Sequence, residues 1–375
     1  MVRKNQNEVH KMDIKISGTQ FSFIIFNVIT ATLILSGTGL IVESARQSAW
    51  AAAIGIPFVA GFIALWLSSQ LCSRFHKKNL LAISEVLLGR VIGKVISFAY
   101  LIYFLNVSIL IAIEYSNAIT TQFLPETPRW ALSAFIVTIC GYAVYKGLEG
   151  ITRSIQFVVP IFVATYVITQ FLSINHMELI NLRPLFEGGL TPIIRGSIIP
   201  TAWFGQVIIA AMLIPTLNKP QEAIRKGTIA LAMATVMITI DTLSTLLIFG
   251  PNFGALLQYP LIDIARYIKV ALIIQRLELL ITAGLTIVIF TKLALFYTLA
   301  CLAVEELIGK SYRKACLTLG LIQIVVATFA FSNIYLFTSY LKIINPIFEL
   351  SFEIALPILL WLLATVGRYK REQTV

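Results

Sequence analysis

The stretch GSIIPTAWFGQ, Gly196–Gln206, decides how the rest of the chain is read. It lies inside an apolar segment, 192–217, that is long enough to cross a membrane. Yet it carries a proline, two glycines, hydroxyls, an indole and an amide, and a plain membrane-spanning helix needs none of these. Pro200 removes a backbone donor, and Gly196 and Gly205 lower the helical preference around it. In hydrocarbon, every backbone N–H or C=O left without a partner is costly. Such an interruption has two readings. It is a proline kink whose freed groups are satisfied by neighbouring helices, or it lines a cavity and offers those groups to a ligand.

Composition places the segment in a polytopic helical membrane protein. Of 375 residues, 58% are hydrophobic and 13% charged, whereas charged residues make up about a quarter of an ordinary soluble domain. The apolar runs read as ten spans, at 17–42, 49–72, 92–124, 130–146, 154–174, 192–217, 227–249, 270–302, 315–337 and 343–367. Span three is long and tilted. Pro125 and Pro128 in LPETP end it and open the next. The polar-faced stretch 75–94 reads as an interfacial helix. The polar, basic N-terminal residues and the long apolar run behind them do not make a cleavable signal peptide, so the chain is expected to keep its N-terminus.

Charge sets the orientation. Most of the 29 Lys and Arg residues fall on one side, in the two tails and beside Arg74, Lys94, Lys146, Arg153, Lys219, Arg225 and Arg313. Arg46, Arg129, Arg183, Arg195, Arg266, Arg276 and Lys342 fall on the other. Both termini are therefore expected in the cytoplasm. The net charge of +11 reflects this topology. Nucleic-acid binding has no separate support, because no basic cluster interleaved with aromatics sits on a soluble domain. Cys72, Cys140, Cys301 and Cys316 lack metal-ligand spacing and read as small buried hydrophobes. His10, His76 and His176 are scattered. GKS at Gly309–Ser311 has no phosphate-loop glycine ahead of it. No nucleophile–base pairing, metal motif or cofactor motif points to an enzyme.

Five spans per half produce inverted repeats, with residues 17–174 as the first, 175–191 as an external loop and 192–367 as the second. Transporters built this way bind substrate near the midplane, between interrupted first helices of the two halves. Span one should then be irregular too, and NVITATLILSGTG, Asn27–Gly39, is polar in the matching place. Its break falls near Thr30–Thr32 or at Ser36–Gly39, with Gly37 and Gly39 as helix-lowering residues; the sequence does not choose. This pairing favours a ligand cavity, with half-helix ends suited to a carboxylate and an ammonium group.

Ionisable residues within spans extend the candidate site. Glu114 must face the interior or water, since a carboxylate on a lipid face costs at least ~2.5 kcal/mol. Asn106, Leu110 and Glu114 share one helical face, which lines a cavity or a water path, or makes a structural hydrogen bond. Glu278 and Thr282 share a face at the start of span eight, where Arg276 and Glu278 also read as anchoring charges. Lys292 snorkels or neutralises a carboxylate. Asp241 lacks an evident partner, and Glu349 and Glu353 form a polar stripe on span ten. The candidate ligand-binding set is Asn27, Thr30, Ala31, Thr32, Asn106, Leu110, Glu114, Thr201, Trp203, Phe204, Gly205, Gln206, Glu278 and Thr282. The helix-breaking set is Gly37, Gly39, Gly196, Pro200 and Gly205.

Across its whole length the chain resembles the B subunit of bacterial spore germinant receptors, within the amino acid–polyamine–organocation transporter superfamily. The resemblance rests on ISGTQ (Ile16–Gln20), FLPETPRWAL (Phe123–Leu132), YKGLEGITRS (Tyr145–Ser154), NLRPLFEGG (Asn181–Gly189), FGPNFGALLQYPL (Phe249–Leu261) and QRLELL (Gln275–Leu280), in order. It implies the ten-helix inverted-repeat transporter fold and a subunit that senses a small germinant, often an amino acid, in the spore inner membrane. It further implies an A subunit and a lipoprotein C subunit as partners. One position departs from the pattern. Where relatives often carry a glycine in span one, this chain reads Thr30-Ala31-Thr32, bulkier and stiffer, which bears on pocket size and on the germinant accepted. A proton- or sodium-coupled amino acid transporter and a ligand-gated ion-conducting subunit are the competing functions.

Overall fold

The structure is a computed structural model and describes residues 15–75, 78–184, 188–268, 276–309, 311–330 and 334–367. Most of both tails, the start of the expected span eight and 331–333 within the expected span nine lie outside these residues.

The chain is almost entirely helical. In order, the helices are α1 (Gly18–Thr32), α2 (Thr38–Ala45), α3 (Ala49–Ala52), α4 (Gly55–Arg74), α5 (Leu80–Gln122), α6 (Arg129–Lys146), α7 (Leu148–Ser173) and α8 (Leu190–Gly205). They continue as α9 (Ala210–Leu213), α10 (Ala223–Gly254), α11 (Pro260–Tyr267), α12 (Leu277–Ile308), α13 (Arg313–Phe329), α14 (Ile334–Leu350) and α15 (Leu356–Val366). Among the described residues, eight helical stretches are long and apolar enough to cross a membrane. The shorter α6 and α13 occupy the places of expected spans four and nine.

Local chemistry sets the boundaries. Ser17 and Gln20 form a reciprocal capping box that satisfies two orphan donors at the start of α1, at 2.9 and 3.1 Å. Asn79 caps α5 through Ala82 N–H at 2.9 Å. At Gly89 the backbone turns through φ 79°, a conformation a side chain would disfavour. The stretch 75–94, expected as one interfacial helix, is thus divided, its 80–88 part forming the first turns of α5 ahead of the bend at Gly89. At the other end of α5, Arg266 donates to the Gln122 side chain at 2.8 Å, supplying a cation to a helix C-terminus.

The irregular turns fall beside Gly37 and Gly205 rather than at Pro200. Between α1 and α2, Leu33–Gly37 form a π-turn, with Thr38 N–H bonding Leu33 C=O five residues back. Gly37 closes that turn, and Gly39 lies two residues on against the Leu257 carbonyl. In span six the helix runs through Pro200 without ending. It tightens into a 3₁₀ turn at Gln206–Ile209, after Gly205. Gly196 packs against Ala45. A second π-turn, Ser351–Ala355, joins α14 to α15. Turns of this kind shift the carbonyl register and recur at functional sites.

Packing follows a paired logic. α1 lies along α10, α8 lies along α4, and α12 packs on α5 and α7. If α1 and α8 are equivalents, so are α10 and α4, the relation an inverted repeat produces. Ile16 pairs with the segment after α9 through Ile16 N–H to Thr216 C=O at 2.9 Å and Asn218 N–H to Ile16 C=O at 3.0 Å. The chain before span one and the chain after span six therefore emerge at the same end. All four cysteines are buried and free.

Candidate functional site

The irregular segments converge on buried ionisable groups. Ser36, in the π-turn, donates to Glu114 Oε1 at 2.6 Å and ties span one to α5. Lys292, fully buried on α12, donates from Nζ to Thr32 Oγ1 at 2.7 Å. Gln206 Nε2 reaches Glu349 at 3.3 Å, and Tyr103 donates to Glu353 Oε1 at 2.8 Å. A buried ammonium is tolerable only with partners of opposite charge, and Glu114 and Glu349 line the same small cavity as Lys292.

That cavity is lined by Thr32, Glu114, Trp203, Gln206, Lys292 and Glu349 on its polar side, and by Val107, Leu110, Ile111 and Leu341 on its apolar side. Its volume is about 10 Å³, room for roughly one water. The conformation is therefore closed around the site. Among the described residues, several buried acceptors on spans one, six and ten have no hydrogen-bond partner, namely Asn27 Oδ1, Thr201 Oγ1, Gln206 Oε1 and Glu353 Oε2. Glu353 Oε2 abuts Gly205 so closely that a Cβ there would overlap it. The glycine ahead of the 3₁₀ turn thus lets a carboxylate approach the backbone.

The expected residues fall into three groups. Thr32, Leu110, Glu114, Trp203 and Gln206 line the cavity. Asn27, Ala31, Thr201 and Phe204 are buried beside it on spans one and six; Asn27 donates to Thr291 Oγ1 at 3.1 Å and Phe204 packs toward Gly61. Thr30 spends its hydroxyl on Phe26 C=O at 2.9 Å, within its own helix. Asn106 bonds Asn345 and Tyr340, both at 3.1 Å, bracing α5 against α14. Glu278 and Thr282 are not brought to the cavity. They bond each other along α12, Thr282 Oγ1 to Glu278 C=O at 2.6 Å, and at 1.5 Å per residue they sit about 15–20 Å from Lys292.

Sequence reasoning left Lys292, Glu349 and the aliphatic wall Val107, Ile111 and Leu341 out of the site. For Lys292 the signal was present, as an ionisable residue deep in an apolar run. The apolar wall has no sequence signal, since such residues cover every face of these helices.

A second buried network stands apart. Asp241 on α10 accepts from Thr38 Oγ1 at 2.6 Å and Gln170 Nε2 at 3.2 Å, and Ser244 donates to Gln170 Oε1 at 2.5 Å. It fastens the end of the span-one π-turn to α7 and α10.

Comparison with known proteins agrees with this architecture. The model of the family described as spore germination protein matches residues 15–339. Spore germination protein YfkT of Bacillus subtilis is 27% identical over 328 residues, covering 86% of this chain and 89% of that protein. Spore germination protein KB of Bacillus subtilis is 22% identical, covering 94% of each. Among solved structures, Mhp1, a nucleobase-cation-symport-1 family transporter in a closed conformation with bromovinylhydantoin bound, aligns with TM-score 0.72 at 13% identity. That alignment covers 97% of this chain and 81% of Mhp1. MhsT in complex with L-phenylalanine aligns with TM-score 0.61 at 12% identity, covering 92% and 97%. At such identities the likeness is one of fold, the helical inverted-repeat transporter fold.

Proposed function

Starting from a chain that belongs to the spore germination protein family, we propose that it is the permease-like subunit of a germinant receptor. It binds a small nutrient of amino acid type and passes a change of shape to partner subunits. The observation that carries this reading is the meeting of Lys292 with Glu114 and Glu349 around one cavity that has an aliphatic wall. A zwitterion supplies a carboxylate for the ammonium and an ammonium for a carboxylate, and its side chain packs on Val107, Leu110, Ile111 and Leu341. Each charge is then hydrogen-bonded without solvent, as buried charges require.

Closure supports the sensing role. A cavity of about 10 Å³ admits no amino acid, so binding must select a conformation in which spans one and six stand apart from α5 and α12. A ligand that prefers one of two conformations shifts their populations, which is all a sensor needs. In this reading ten spans divide as 17–174 and 192–367. Both termini face the cytoplasm, the membrane is the spore inner membrane, and the partners are the receptor's A subunit and lipoprotein C subunit.

One observation favours a coupled amino acid transporter instead. Three buried carboxylates, Glu114, Glu349 and Glu353, surround a single buried lysine, leaving room in the charge balance for a proton or cation that travels with the ligand. Reconstitution decides between the two. Liposomes holding the purified chain, under imposed proton and sodium gradients, are offered a panel of labelled amino acids. Saturable binding of one of them without accumulation supports the sensor. Gradient-driven accumulation establishes the transporter.

A further inference from the structure

A second cavity, of about 40 Å³, lies between α5, α6, α13 and α14. It sits about one helical turn beyond the central cavity toward the end of the bundle remote from Ser17. The apolar cluster of Leu110, Ile113, Phe337 and Leu341 separates the two. Its polar lining comes from Asn117, Arg129, Ser116, Ser133 and Thr328.

Two of these groups are free to donate into the cavity. Asn117 is 2% exposed and lines the cavity, and its side-chain amide makes no hydrogen bond with the described residues. An amide that opens onto a cavity bonds whatever fills that cavity. Arg129 is the exposed first residue of α6, and its guanidinium makes neither a hydrogen bond nor an ion pair with the described residues. Beside them on the same two helices, the Ser116 and Ser133 hydroxyls are 2.7 Å apart, and Ser116 also reaches Ala112 C=O at 2.7 Å. With Ser116 donating to that carbonyl, Ser133 donates to Ser116. The serine pair then has lone pairs to offer and no proton to spare. The cavity thus presents a donor and a serine hydroxyl on each of its α5 and α6 walls, with the Arg129 positive charge at its exposed edge.

The position selects the ligand. Arg129 opens a helix at the membrane boundary, and Asn117 lies five residues inside the end of α5, about 8 Å deep at 1.5 Å per residue. That is close to the thickness of the headgroup layer outside the hydrocarbon core. The lining includes Trp130, 56% exposed and placed as interfacial tryptophans are, and the 79% exposed Phe329 follows the lining residue Thr328 in sequence. An anion with an apolar body fits, and a fully hydrated one does not.

We propose that this crevice binds the headgroup of an anionic phospholipid. Arg129 and Asn117 donate to the phosphodiester, the serine pair accepts from a headgroup hydroxyl such as that of phosphatidylglycerol, and the acyl chains run past Trp130 and Phe329. The proposal is independent of what the central cavity binds.

The test is native mass spectrometry of the full chain released from nanodiscs of mixed phosphatidylglycerol and phosphatidylcholine. Retention of phosphatidylglycerol over phosphatidylcholine is expected, falling at least tenfold in Arg129→Gln and in Asn117→Ala. Arg129→Lys should keep part of it. Asn117→Ala also separates lipid binding from folding, because removing an unpartnered buried amide should leave lipid-free thermal stability unchanged or raised while lipid is lost. Free glycerol phosphate should compete poorly. Equal retention by parent and both variants would overturn the proposal, and so would free glycerol phosphate binding as tightly as the lipid, which would mark a soluble-anion site.

Discussion

Replacing Lys292 by Met tests whether the buried charges of the central cavity neutralise one another. Methionine keeps most of the aliphatic stem and removes the ammonium. The first loss is the 2.7 Å bond from Nζ to Thr32 Oγ1; hydrogen bonds that involve a charged group contribute about 1.5–3 kcal/mol. The second is larger. Glu114 and Glu349 line the same cavity without touching the ammonium, and they stay buried with no cation when it is removed; stranding buried charges in this way costs up to about 3–5 kcal/mol. The single variant should therefore lose about 3–5 kcal/mol of stability, read as denaturant unfolding of the detergent-purified protein followed by tryptophan fluorescence. Glu114→Gln in the same chain removes one of the stranded charges and should restore part of the loss, with a coupling of about 1–3 kcal/mol in the double-mutant cycle. Ligand affinity should fall by at least ~10-fold in the single variant, equivalent to about 1.4 kcal/mol. If the two substitutions add to within about 0.5 kcal/mol, Lys292 does not neutralise Glu114 and the zwitterion reading of the cavity fails with it.

Ser36→Ala deletes the 2.6 Å bond to Glu114. It should cost about 1–3 kcal/mol in the same unfolding assay and weaken ligand binding, and an unchanged dose response would separate the π-turn from the site. Gly205→Ala places a Cβ onto the Glu353 carboxylate; overpacking of this kind costs about 1–3 kcal/mol, and Glu353→Ala in the same chain should relieve it. Asp241→Asn leaves one acceptor oxygen where Thr38 and Gln170 now use two. A loss of about 1–3 kcal/mol is expected, seen as faster amide exchange around Leu33–Gly37. Outside the membrane, burial raises the Asp263 carboxyl to about 6, opposed by Arg266 at 3.8 Å. The folded chain then holds this proton more tightly than the unfolded one. Its contribution to stability should fall as pH rises from about 4 to about 6 and stay flat above, and exchange in α11 should lose that slope in Asp263→Asn.

Much of the fold was legible because hydrophobic runs of membrane length leave few alternatives. A backbone in lipid must bond to itself, and uninterrupted apolar stretches can do so only as helices. The stretch Gly196–Gln206 and its counterpart Asn27–Gly39 marked the irregular spans for the same reason, since polar and helix-lowering residues at that depth are too costly to be incidental. Where each irregularity falls was less legible. Pro200 looked like the break, but the helix continues through it and tightens after Gly205. A missing donor is local, whereas a change of helix register depends on what packs against the turn. The Leu33–Gly37 π-turn begins just past the first place the sequence allowed and overlaps the second, Ser36–Gly39, held by Ser36 to Glu114 and by Thr38 to Asp241.

The sequence by itself determined a membrane-spanning helical bundle, its two interrupted spans, and the presence of buried carboxylates and one deep lysine. These follow from the cost of polar groups in hydrocarbon, which acts on each segment separately. Only the tertiary structure decided that Lys292 meets Thr32, Glu114 and Glu349, that Glu278 and Thr282 stay remote from them, and that Val107, Ile111 and Leu341 form the wall. Which faces of four uniformly apolar helices come together is set by packing and by hydrogen bonds between buried polar groups across 260 residues of chain, as between Thr32 and Lys292. Neither leaves a periodic trace in any one segment.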